Sequence, residues 1–123
     1  MEPRWPERVR RRSGAAITMS TPLVLGTLSS ENVRRQTRDL AGAFSNCYSD
    51  RVATAPVQRG EPRVVLTVGT SGEVIDAEFV ERAGVPDDVA WCLARRCCIA
   101  WFHAPETEQT TIEVPFTVIP TAD

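Results

Sequence analysis

Apolar and polar positions along the chain fall into a few periodic stretches separated by breaks rich in proline and glycine. Val33, Thr37, Leu40, Ala41, Phe44, Cys47 and Tyr48 recur at helical spacing, with Arg34, Arg35, Arg38 and Asp39 between them. Ser29 or Ser30 marks the start, since either hydroxyl can accept from the free N–H groups of a first turn. Gly42 weakens this helix by ~1 kcal/mol relative to alanine. After a loop over 50–62, Arg63–Val68 alternates so that Val64, Leu66 and Val68 share one face. Gly69–Gly72 has turn chemistry. Glu73–Val80 then alternates again, with Ile75, Ala77 and Phe79 on one side and Asp76 and Glu78 on the other. Two alternating runs across a glycine-bearing turn predict a β-hairpin.

A second helix is predicted from Pro86, whose fixed φ suits a first helical position, with Asp87 and Asp88 at the positive end of the helix dipole. Its inner stripe is Val89, Cys92, Leu93, Arg96, Cys97 and Ala100, and Trp91 and Cys98 fall on the opposite side. Thr110–Ile119 reads as the best strand: Ile112, Val114, Phe116 and Val118 line one face, Thr111, Glu113, Pro115 and Thr117 the other. Pro115 has no N–H to give to a ladder. The strand is therefore expected at a sheet edge, or in a register that leaves Pro115 unpaired. The order is α-β-β-α-β, an α+β fold with a three-stranded antiparallel sheet and two helices packed on one face.

Residues 1–26 show neither period. They carry Pro3, Pro6, Gly14 and Pro22, and arginines at 4, 8, 10, 11 and 12 against Glu2 and Glu7. This segment is expected to be a disordered basic extension, with the domain proper at 27–120. Ala15–Leu25 follows Arg8–Arg12 much as the apolar part of a signal peptide follows its basic start. Thr18, Ser20, Thr21 and Pro22 dilute it, and no small-residue cleavage site follows, so it reads as a poorly folded leader.

The bulk numbers narrow the function classes. The 123 residues are enough for one domain, and the net charge of −2 gives no overall case for nucleic acid or an anionic membrane. All 14 basic residues are arginine, from which no function follows. No apolar run approaches the ~20 residues a membrane span needs. The basic arm leaves one alternative, a nucleic-acid or lipid-surface binder acting through residues 1–26.

A series of local features gives a narrower likeness. They are Cys47-Tyr48 ending the first helix, Pro56 with Gly60 in the loop, Val64–Val68, and the strand Gly72-Glu73-Val74-Ile75-Asp76-Ala77. Pro86-Asp87 leading to Cys92, Phe102-His103-Ala104-Pro105 and Val114-Pro115-Phe116 complete the series. In this order they resemble the carboxy-terminal domains of gliding-motility proteins of the AgmX/PglI type, themselves akin to the TonB carboxy-terminal fold. The resemblance covers about residues 27–119. His103 stands where that family often has proline, and Cys97-Cys98 is an additional pair. The likeness implies a non-catalytic interaction module of the periplasm or cell envelope, within gliding-motility or TonB-like energy-transducing machinery. It implies no cofactor, and a protein or peptide partner that adds to a sheet edge. If the chain start is genuine and no export signal operates, the location is cytoplasmic instead.

Four cysteines need an account. Cys47 and Cys92 lie on the inward stripes of two helices, either as buried thiols or as a disulfide, and the family pattern favours the disulfide. Cys97 and Cys98 are neighbours about 100° apart on a helix, a poor geometry for a mutual bond. One is expected to pack as a small hydrophobe and the other to be partly exposed, where Cys98 could couple two chains into a homodimer. The alternative is a metal- or thiol-dependent protein using Cys92, Cys97, Cys98 and His103, although the group lacks the C-x-x-C knuckle of compact zinc sites. His103, the one histidine, has no paired nucleophile motif, and no catalytic residue is assigned. Partner contacts are expected at Thr110, Ile112 and Val114 or on another edge, and at Trp91.

Overall fold

The computed structural model describes residues 14–26, 28–49, 57–105 and 108–121. Its elements are β1 (Gly14–Met19), β2 (Leu23–Leu25), α1 (Ser30–Ser49), β3 (Arg63–Val68), β4 (Val74–Glu81), α2 (Asp87–Cys98) and β5 (Thr110–Thr121). The two helices and the hairpin β3–β4 stand where the periodicity places them. The sheet has five strands rather than three, in the order β1-β5-β3-β4, with β2 also on β5 and all pairings antiparallel.

The two additional strands come from the segment expected to be disordered. Residues 14–19 and 23–25 pair with the two halves of β5, while the arginines at 4, 8, 10, 11 and 12 lie outside the described residues. Ala15 is buried and Ile17 and Met19 pack against the core, so β1 does alternate, in a run too short and too diluted to stand out. The Ser45 hydroxyl donates to the Ala15 carbonyl at 3.1 Å and ties β1 to α1.

This changes the place of β5. It runs through the interior of the sheet, between β3 on one side and β1 with β2 on the other, and is not an edge strand. Its proline is accommodated by a break in the neighbouring strand. Met19 faces Phe116 and Leu23 faces Glu113, so the three residues Ser20–Pro22 span only Val114 and Pro115. Pro115 sits against this bulge, where its missing N–H leaves no ladder position empty.

The core lies between one sheet face and the helices. Val64, Leu66 and Val68 of β3 and Ile112, Val114, Phe116 and Val118 of β5 are all essentially inaccessible. They meet Val33, Leu40 and Phe44 of α1 and Val89 and Leu93 of α2. The Phe44 and Phe116 rings are 5.0 Å apart and tilted by 59°. Helix α1 starts as expected: the Ser29 hydroxyl accepts from the Asn32 amide at 3.1 Å. Pro86 is extended (ψ 158°) and precedes the first helical residue of α2 instead of occupying it, its carbonyl accepting from Ala90 at 2.8 Å. In β4 the alternation slips. A bulge opposite Thr67 and Val68 turns Val74 inward and leaves Ile75 exposed, against the inward position expected for Ile75.

Candidate functional site

Cys47 at the end of α1 and Cys92 in the middle of α2 form a disulfide, with Cα atoms 5.8 Å apart and 45 residues between them. Both sit on stripes that turn toward the partner helix, so the bond pins the end of α1 to the middle of α2. The other two cysteines diverge. Cys97 is completely buried and Cys98 is exposed. Burial pushes the Cys97 thiol up from 9.0 to about 12, with a smaller upward push from Cys98 beside it. A thiol so raised is a packing group and not a nucleophile.

The alternative ligand set does not assemble. Cys92 has its sulfur in the disulfide, Cys97 points into the core, Cys98 points out, and His103 is exposed. The contact His103 does make is through its backbone, whose N–H donates to the Asn32 side-chain oxygen at 2.8 Å. Among the described residues no three of His, Cys, Asp and Glu converge to hold a metal ion.

The expected partner edge is also relocated. Thr110, Ile112 and Val114 are buried and paired with Val68, Leu66 and Val64 of β3 respectively, with β2 on the other side of residues 111–113. They hold the middle of the sheet together and offer nothing to a partner. Among the described residues the sheet ends in β1 and β2 on one side, which pair only with β5, and in β4 on the other, which pairs only with β3 and carries the longer uninterrupted edge.

The alternation of hydrogen bonds fixes which β4 groups face outward. Phe116 donates to Pro62 at 3.1 Å, and Val118 and Gly60 exchange bonds of 2.8 and 3.2 Å. In that phase Val64, Leu66 and Val68 turn their backbones to β5, and Val65 and Thr67 turn theirs to β4. Val65 and Thr67 lie opposite Glu78 and Asp76, so the N–H and C=O groups of Ala77 and Phe79 point away from the sheet. Among the described residues only the start of this edge is covered, by the bridge between Glu73 and Trp101 and by the bond from Phe102 to the Gly72 carbonyl at 2.8 Å. The side chains along it are mixed: Ile75 and Val80 are about half exposed, with Asp76 and Glu78 between them and Glu81 after them.

The outer face of α2 is the second exposed surface. Trp91 is 58% and Ile99 68% exposed, as the helical spacing predicts for Trp91. The Arg95 guanidinium lies 4.9 Å from the centre of the Trp91 ring. Open depressions run along both sides of Trp91, one toward Cys92 and Arg96 and the other toward Ala94 and Cys98. Helix periodicity was the signal for this face. The β4 edge had none, because strand order is not written in alternation. No described helix is long and apolar enough to cross a membrane. Comparison with family models, with curated proteins and with solved structures finds no match for this chain.

Proposed function

We propose that this chain is a non-catalytic protein-interaction domain of the bacterial cell envelope that takes an extended segment of a partner protein onto the outer edge of β4. The observation that carries the reading is the unpaired edge itself. Ala77 and Phe79 present main-chain donors and acceptors outward, and an added strand satisfies them with a ladder already in register. The exposed Ile75 and Val80 give such a strand apolar contact, and Asp76, Glu78 and Glu81 keep the edge soluble while it is vacant.

The envelope location rests on the disulfide and on the resemblance to AgmX/PglI and TonB carboxy-terminal domains. A bond between Cys47 and Cys92 suits an oxidising compartment. The same resemblance underlies a place in gliding-motility or energy-transducing machinery.

Ala77→Pro removes an outward N–H that the sheet does not use. The test compares wild type and this variant as bait in oxidised envelope extract, with thermal melting of each bait as the check on folding. A partner held by wild type and lost from a folded Ala77→Pro bait supports the proposal. Equal retention overturns it. Ile75→Lys, which places a charge on the same edge without touching the ladder, serves if the proline variant melts early.

A further inference from the structure

Asp87, Trp91 and Arg95 follow one another at intervals of four along α2, so they lie in one stripe on the helix surface. The stripe faces solvent: the Asp87 side chain is 96% exposed and Trp91 58%. Its chemistry is ordered about the tryptophan, with an acid one turn before it and a base one turn after. Ile99 prolongs the apolar part beyond Arg95.

Such a stripe is complementary to its own reverse. Turned end for end about an axis through Trp91, the acid of one helix comes opposite the base of the other, twice. The indoles meet at the centre, and the two helix dipoles run antiparallel. Here an acid and a base stand on either side of the tryptophan within a single helix, and a second copy of the same helix satisfies both ends by symmetry.

We propose that a second copy of this chain docks on the outer face of α2, helix against helix and antiparallel, with the two-fold axis at Trp91. The arrangement has the anatomy of a specific interface, a large aromatic centre flanked by charged pairs at the rim. The Arg95 side chain already rests on its own indole, so it loses little freedom when it reaches Asp87 of the second copy. Asp87 retains its bond from Arg82 at 2.7 Å through one carboxylate oxygen and has the other for the incoming guanidinium. This surface is distinct from the β4 edge and does not depend on it.

The geometry also separates this pairing from a covalent one. Cys98 lies seven residues from the axis. Two such residues in an antiparallel pair are about 21 Å apart along the helices at a rise of 1.5 Å per residue. A dimer formed through α2 therefore leaves the two Cys98 thiols unlinked.

The experiment is sedimentation equilibrium of the full chain carrying Cys98→Ser, which confines the measurement to non-covalent association. Expected are a reversible dimer, its loss in Trp91→Ala, and association weakened at least about tenfold in Arg95→Glu, where two like-charge pairs replace two opposite ones. The double variant Asp87→Arg with Arg95→Glu restores the opposite pairs and should recover most of the loss, with circular dichroism confirming helix content throughout. A chain that stays monomeric at millimolar concentration overturns the proposal. So does a dimer that Arg95→Glu leaves intact, or one that the double variant fails to restore.

Discussion

The amide of Ser20 donates to the carbonyl of Pro115 at 3.0 Å. This contact lies one residue past the end of β1, at the bulge that lets a proline stand inside a sheet. The backbone of Pro115 faces the bulge, and on its other side Arg63 lies opposite it. The proline therefore breaks nothing, because the neighbouring strand is already broken there.

Substitutions on either side of this point should differ sharply. Pro115→Ala adds an N–H that faces the bulge, so its effect on urea denaturation should stay within about 1 kcal/mol. Ile112, three residues earlier, is wholly buried and paired on both sides. Ile112→Ala should cost about 2–5 kcal/mol. Ile112→Pro should prevent folding altogether, as soluble yield and circular dichroism would show.

The disulfide makes two measurable demands. Titration of the denatured, unreduced chain should find two reactive thiols out of four cysteines. Reduction should lower stability by about 4 kcal/mol, the chain-entropy figure for a loop of this length, read as the difference between oxidised and reduced denaturation midpoints. Four free thiols would remove the structural link between α1 and α2.

The buried thiol predicts an alkaline weakness. Cys97 is raised from 9.0 to about 12 in the folded chain. Below pH 9 it is protonated in both states and costs nothing. Between pH 9 and about 12 the unfolded chain ionises there while the folded chain resists, so the fold loses stability as pH rises, by at most ~1.4 kcal/mol per unit from this one group. Cys97→Ala should flatten that part of the pH profile, as denaturation midpoints at successive pH values would show. In the folded protein at neutral pH, Cys98 should react with a maleimide well before Cys97.

Gly72 should resist substitution. It has φ +96°, and a Cβ built there would fall 2.1 Å from the carbonyl oxygen of Phe102. Gly72→Ala should therefore cost at least about 2 kcal/mol in thermal or urea unfolding, from the left-handed backbone and the steric clash together.

Local chemistry made much of the fold readable. Both helices, the hairpin and β5 follow from the spacing of residues such as Val33, Phe44, Leu66 and Phe116, each of which is buried. What the residues could not convey was pairing. Leu23 and Leu25 of β2 are exposed and only Val24 between them is half-buried, so β2 has its apolar pattern reversed and exists through its bonds to residues 111–113. Pro115 argued for an edge because a sequence does not reveal a bulge in a strand nearly a hundred residues away. That misplaced edge took Thr110, Ile112 and Val114 with it as partner contacts. Trp91 was legible because a helix face depends on near neighbours alone.

Gly14 and Thr121 face each other across β1 and β5, so both ends of the described domain emerge at the same corner. A load pulling these ends apart would bear on one rung at a time and peel β1 away like a zipper, at low force. β5 is held by β3 as well as by β1, so it would remain in place when β1 had left. A domain wired in this way yields its first strand gently and keeps its core.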